Sequence, residues 1–316
     1  MKKLVLVAAV AAAYASPAFA QSSVNVYGRL NVTVESIKGG DDHLDRQGEV
    51  RDNSSRIGFK GVEDLGGGLK AGFQIEHGFD ATTGQAGAAF WGRQSEVNLS
   101  GNFGTVRLGR FTSEAYFAVA DYISMHNHDT GDSSDKFYLP IAAIVDRDRN
   151  KVGYKSPDLG GFVFHAALGV KEGADTDQLY DLAANYDNGP LHLGAGYEKL
   201  GDVKQFAVRA LYEFGAATVG SYVERVSVPV LGDATHFRIS AMYTLGASEF
   251  HINVGRAGEY SNWDKSDALQ YTLGYNYNLS KRTKVYGYYT RIDKDDVLHA
   301  YGGNFDALAV GIRHNF

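Results

Sequence analysis

The strongest constraint on this chain is an alternation of apolar and polar residues with period two, which starts near residue 24 and runs to the last residue. In Val24-Asn25-Val26-Tyr27-Gly28-Arg29-Leu30-Asn31-Val32-Thr33-Val34 one parity is valine, glycine and leucine, and the other is asparagine, tyrosine, arginine and threonine. A period of two is that of a strand with one apolar and one polar face. The pattern recurs at Phe206/Val208/Ala210/Tyr212/Phe214 and at Phe237/Ile239/Ala241/Tyr243/Leu245. It returns at Leu269/Leu273 with Tyr271, Tyr275 and Tyr277, and at Leu308/Val310/Ile312 on the way to Phe316.

Residues 1–20 are different. Met1-Lys2-Lys3 is basic, Leu4 to Ala15 is apolar, and Ala18-Phe19-Ala20 puts small residues where a signal peptidase reads, so cleavage is expected before Gln21. The apolar run is too short to cross about 30 Å of hydrocarbon as a helix. No later run approaches the length of a membrane helix. The chain is therefore expected to be exported, with residues 21–316 as a single domain.

The breaks between strands fall into two alternating sets. Short ones, built from turn residues, lie at 63–68, 101–104, 157–160, 187–190, 213–216, 245–248 and 279–282. Long, mostly polar ones lie near 37–52, 81–90, 113–146, 171–177, 200–203, 227–234, 258–267 and 293–303. These 15 connections imply 16 strands. An even count brings the first strand beside the last, and closure removes both sheet edges. The 38 glycines among 316 residues suit a fold of many strands and tight turns.

Which face is outside decides between a sandwich and a membrane barrel. The polar parity carries Arg, Lys, Glu, Asn and Gln in strand after strand, too much charge for a dry core. Tyrosine and phenylalanine gather near strand ends, as rings do at a headgroup interface. We therefore read an all-β, 16-stranded antiparallel transmembrane barrel whose apolar parity faces lipid. A barrel of that size holds an aqueous lumen.

Several segments resemble the general, non-specific porins of Gram-negative outer membranes, of the proteobacterial trimeric type. They are Val26-Tyr27-Gly28-Arg29-Leu30, the hairpin from Ser55-Arg56-Ile57-Gly58-Phe59-Lys60-Gly61 through Gly68-Leu69-Lys70-Ala71, Leu99 to Arg110, Val152 to Pro157, and the ending Val310 to Phe316. The resemblance implies a homotrimer of barrels with short periplasmic turns and long external loops, each pore narrowed by an inward-folded third loop. It implies passage of small hydrophilic solutes and ions, a place among outer-membrane lipids and lipopolysaccharide, and a terminal Phe316 serving as the assembly signal for the barrel-assembly machinery.

The third long connection, 113–146, is the expected constriction loop. It carries Glu114, Asp121, Asp129, Asp132, Asp135 and Asp146 against Lys136 alone. Its apolar members Ala115, Phe117, Val119, Ile141, Ala142, Ile144 and Val145 suit packing against the inner wall. Parity puts Arg29, Arg56, Lys60 and Arg107 on the polar face, and Arg147, Arg149, Lys151 and Lys155 alternate with Val152 and Tyr154. Arg209 and Arg238 extend the inward set. Family pore arginines match best at Arg29, Arg56, Arg93 and Arg147 or Arg149. The arginine set favours anions and the loop acids oppose that preference.

Parity fails in three places. An inward Arg93 would also turn Val97 and Leu99 inward and Glu96 outward; both faces of Val285-Tyr286-Gly287-Tyr288-Tyr289 are aromatic; and Arg110 has the lipid parity of Leu108, which suggests a strand end or an interface.

The chain has no cysteine, which excludes a thiol nucleophile and cysteine-ligated metals. Its formal charge of -6, or -8 without Lys2 and Lys3, argues against nucleic acid as a partner. No catalytic motif appears, and no cofactor or metal is expected. His126-x-His128 beside Asp129 has no third ligand at a fixed spacing. The alternatives are a substrate-specific channel, which would line its lumen with aromatics, a barrel enzyme and an adhesin.

Overall fold

In a computed structural model of the chain, the residues described are 23–39, 45–121, 123, 135–139, 141, 148–171, 177–294 and 304–316. The leader at 1–20 lies outside them. The strands are β1 Ser23–Gly39, β2 Gln47–Asp52, β3 Arg56–Gly66, β4 Leu69–Gly78, β5 Gln94–Gly101, β6 Gly104–Arg110, β7 Lys151–Lys155, β8 Phe162–Gly169 and β9 Leu179–Asn188. They continue with β10 Leu191–Leu200, β11 Val203–Phe214, β12 Ala217–Val228, β13 Gly232–Leu245, β14 Ser248–Ala257, β15 Ala268–Asn278, β16 Thr283–Lys294 and β17 Phe305–Asn315. A short helix, α1 (Glu114–Tyr116), and a π turn at Phe117–Asp121 follow β6.

All strands pair antiparallel with their neighbours, and β17 returns to β1, so the sheet closes into a barrel. Closure gives every strand a partner, the condition for spanning hydrocarbon with extended backbone. The last residue helps to seal it. Gly28 and Phe316 exchange backbone N–H···O bonds of 3.1 Å each, and the Phe316 ring covers Gly28, where a Cβ would collide with it.

The 17 segments make 16 staves, because β2 and β3 both pair with β1 and are one stave with a break. Val32 pairs with Asp52 and Arg29 with Arg56, so the broken stave carries one residue more than β1 between those points. The break is orderly: Asn53 N–H donates to Asn31 O at 2.8 Å, Asn31 N–H to Ser55 Oγ at 3.0 Å, and Ser54 takes φ 64°. Such a bulge re-aims side chains locally. The connection expected at 37–52 is therefore shorter than the sequence suggests, since 47–52 is strand.

The parity holds round the barrel. Val24, Val26, Leu30 and Val34 are exposed on the outer face, whereas Asn31, Thr33 and Glu35 are buried inward. Tyr286 and Tyr288 settle the ambiguous stretch by pointing in: their hydroxyls donate to Asn31 Oδ1 at 2.6 Å and Glu35 Oε1 at 2.9 Å. Val285 faces out, and the Tyr289 ring meets that of Tyr271 at 6.2 Å. Two connections expected to be long are tight, with only residues 201–202 between β10 and β11 and 229–231 between β12 and β13.

The largest buried apolar cluster among the described residues is inside the barrel. Ala118, Val119, Ala120, Ile123 and Tyr138 of the long connection pack on Ala183, Ala207, Leu211 and Tyr222 of the wall. That connection is folded inward, as its apolar content predicts. Ala115, Val119 and Ile141 are buried, whereas Phe117 is exposed.

Candidate pore constriction

The connection after β6 is pinned at both ends by buried polar groups. At its start Ser113 caps α1, its Oγ accepting the Tyr116 N–H at 3.0 Å. Asp181 of β9 accepts the Glu114 and Ala115 N–H groups at 2.8 and 3.0 Å. Lys151 Nζ completes this node, 3.1 Å from both Asp181 Oδ2 and Phe111 O. Close approach needs a bare wall. A Cβ on Gly196 would lie 2.7 Å from Ala115 Cβ, and one on Gly194 would strike the Ala118 carbonyl.

The returning part is held by β12 and β13. Arg238 Nη2 donates to Asp135 Oδ1 at 2.9 Å and to Gln270 Oε1 at 2.6 Å, and the Tyr222 hydroxyl donates to Asp135 Oδ2. The Leu139 N–H donates to Glu224 Oε1 at 3.1 Å. His236 Nδ1 lies 2.7 Å from Phe137 O, so the ring nitrogen carries the proton there. Burial alone would raise the Asp135 carboxyl. The Arg238 charge and the Tyr222 hydrogen bond outweigh it and hold the group below its ordinary value.

Between this loop and the wall from β1 to β6 lies a lumenal cavity of about 910 Å³. Arg29, Arg56, Arg93, Arg110 and Arg313 line its strand side, and Tyr116, Phe117, Asp121, Asp135 and Lys136 its loop side. Asp52, Glu76 and Asp148 also reach it. Glu76 is engaged by the arginines, with Arg93 Nε at 2.6 Å and Arg56 Nε at 3.7 Å from its Oε1. Arg29 Nε donates to Asn315 Oδ1 at 3.1 Å.

Three expected basic residues, Arg29, Arg56 and Arg93, thus come together, with Asp121 and Asp135 across from them. Others go elsewhere. Lys60 shares the inward parity of Arg56 but sits outside the cavity lining, its ammonium 5.1 Å from the Tyr27 ring centre. Arg107 and Glu114 do not face each other across open water; they bond at 2.5 Å as part of the loop's root. Arg107 also reaches Glu96 at 2.7 Å and lies over Phe111. His165 is 3.0 Å from the other Glu114 oxygen. Arg149 is exposed in the bend before β7 and is not part of the lining, whereas its neighbour Asp148 is. Arg147, Asp129, Asp132, His126 and His128 lie outside the described residues.

The conflict at Arg93 dissolves because Arg93 precedes β5. It escapes strand parity, so Glu96 faces in and Val97 and Leu99 face out. Arg110 ends β6 beside Gly109, whose φ of 133° breaks the extended geometry, and its guanidinium turns inward to the Gly92 carbonyl. Arg313 was available to parity reasoning, since it alternates with the outward Ile312. Glu76 was likewise available, since it alternates with Phe73 and Ile75 in β4, whereas Asp148, in the bend before β7, carried no such signal.

The arrangement is a water-accessible passage with a cationic arc on one side and an inserted loop on the other. The family profile of Gram-negative porins matches residues 7–297. Outer membrane porin protein 32 of Delftia acidovorans is 34% identical over an alignment of 369 positions that takes in the whole of both chains. Among solved structures, the anion-selective porin from Comamonas acidovorans superposes with a TM-score of 0.78 at 27% identity, over 93% of this chain and 100% of that one. A trimer form of OmpT from Vibrio cholerae has a TM-score of 0.71 at 17% identity, over 93% and 99%. The closed barrel, the inward loop and these matches place the chain in the Gram-negative porin family, as an integral outer-membrane barrel for passive diffusion.

Proposed function

We propose that this porin passes small hydrophilic solutes with a preference for anions, set where Arg29, Arg56, Arg93, Arg110 and Arg313 face the inserted loop. The observation that carries the reading is the make-up of the cavity lining: five arginines gathered on one side, with the carboxylates of Glu76 and Asp135 already engaged by arginine. Charges on a narrow, low-dielectric wall concentrate counter-ions and set selectivity. The relative described as anion-selective supports the same sign. The separation of base from acid also creates a field across the passage, which orders water and sorts dipolar solutes.

The channel works as a homotrimer with one pore per barrel and has no catalytic step. Phe316, at the seam with Gly28, is the signal read by the barrel-assembly machinery. Planar-bilayer recording of the purified protein tests the reading. Conductance steps in groups of three with an anion-directed reversal potential in a salt gradient support it. Absence of conductance at any voltage contradicts the channel, and a cation-directed potential contradicts the selectivity.

A further inference from the structure

We propose that the lumenal cavity is a selective binding site for carboxylates that carry an aromatic ring, with Phe117 of the inserted loop receiving the ring and the arginine arc the carboxylate. This solute class rests on the anion preference proposed above. Phe117 belongs to the loop side of the cavity, inside the barrel, yet it is 44% exposed. It is not a lone apolar residue in water. Tyr116 and Tyr138 line the same cavity, and the three rings form one row, with centroids 5.8 Å apart for Phe117 and Tyr116 and 5.7 Å for Tyr116 and Tyr138. The row runs on into the wall, where Tyr138 meets Tyr222 edge-on at 5.7 Å. The cavity, about 910 Å³, falls within the range of small-molecule sites, roughly 300–1,000 Å³.

The exposed ring is held ready. The Phe117 N–H donates to Ser113 O at 3.2 Å, and the next carbonyl, that of Ala118, accepts from Arg209 Nε. With its backbone pinned on both sides, the ring keeps its place without a ligand, which lowers the cost of binding. Among the described residues no cation covers it. A second ring in offset or edge contact with such a face gains affinity beyond the area it buries. Rings alone also attract cations, so the charge across the cavity decides the sign. Arg29, Arg56, Arg93, Arg110 and Arg313 lie there, and a guanidinium binds a carboxylate through two parallel N–H donors. The acids of the lining are engaged by the protein: Glu76 by Arg93 at 2.6 Å, Asp135 by Arg238 at 2.9 Å, Asp148 by Lys151 at 3.5 Å, and Asp52 by the Ser55 and Ala81 N–H groups at 3.1 Å each. Asp121, on the loop side, is offset by Lys136 of the same lining.

The test is block of the chloride current through the purified protein in planar bilayers by benzoate at neutral pH. Cyclohexanecarboxylate, of equal charge and similar bulk but without a π face, is the control. Benzoate half-blocks the wild type at a concentration about fivefold lower than the control, the contribution of an aromatic pair converted to affinity. Phe117→Leu keeps an apolar side chain without the ring and brings the two concentrations together. Phe117→Trp keeps them apart, which separates loss of the ring from damage to the loop. R29Q/R56Q/R93Q weakens both blockers alike, and benzylammonium does not block. Equal block of the wild type by the two carboxylates, or an unchanged benzoate advantage in Phe117→Leu, overturns the proposal. Block by benzylammonium as strong as by benzoate overturns its anionic part. A potassium-directed reversal potential with the benzoate advantage intact contradicts the anion preference beneath it and not the ring contact.

Discussion

Asp135 of the inward-folded loop and Arg238 of β13 are joined at 2.9 Å, with both side chains buried inside the barrel. The pair ties the returning half of the loop to the barrel wall. Removing one partner of a buried pair strands the other, which typically costs about 3–5 kcal/mol, whereas replacing both with apolar groups can be nearly neutral. Arg238→Met is therefore expected to loosen the loop, seen as noisier single-channel current and earlier thermal unfolding. The double variant R238M/D135L is expected to recover much of the stability. Equal damage from the single and the double variant would show that the pair does not hold the loop.

Gly196 predicts a steric route to the same control. A side chain there meets Ala115 of α1, so Gly196→Val is expected to push the loop toward the arginines and lower single-channel conductance. Gly48 of β2 has open space beside it, and Gly48→Ala is expected to leave conductance unchanged. The measurement is single-channel conductance at fixed salt.

Much of this arrangement was legible in the sequence, and what was hidden has a common cause. Alternation gave the strands of the closed sheet and the inward side of Arg29 and Arg56, because a strand's period ties each side chain to a face, whereas the inward loop was expected from the family resemblance and the loop's apolar content. It could not place residues where the strand stops. Arg93 precedes β5, Arg110 ends β6 next to a left-handed glycine, and Asp148 lies in the bend before β7. Nor could it separate lumenal charges that meet water from those used as anchors. Arg107 and Lys151 have pore-lining parity but are spent, together with the loop acid Glu114, on the root of the loop.

Acid is expected to change selectivity before it releases the loop. Burial raises the Asp148 carboxyl above its ordinary value despite the nearby Lys151 charge. Asp135 is held below its ordinary value, as described above. A depressed carboxylate contributes an anchor that is present above its unfolded pKa and is lost only as pH falls through the lower folded one. A raised carboxylate takes up its proton earlier, above the ordinary value of about 3.9. As pH falls from neutrality toward that value, the cavity loses the Asp148 charge while Asp135 still holds Arg238. The reversal potential should shift further toward anions with no rise in current noise. Simultaneous loss of a steady open level would contradict this order.

Tyr288 separates barrel stability from conduction. Its hydroxyl donates to Glu35 Oε1 at 2.9 Å, and neither residue lines the cavity. A hydrogen bond to a charged group contributes about 1.5–3 kcal/mol. Tyr288→Phe is expected to lower the unfolding temperature in detergent and to leave conductance and ion preference unchanged. A changed ion preference would place Tyr288 nearer to the passage than this account does.

The most direct measurement is the zero-current potential across a planar bilayer in a potassium chloride gradient, for the wild type and for R29Q/R56Q/R93Q. The wild type is expected to show the sign of chloride preference, and the triple variant to move strongly toward potassium while K60Q stays with the wild type. An unchanged potential in the triple variant, or an equal shift in K60Q, would contradict the claim that this arginine arc governs what passes.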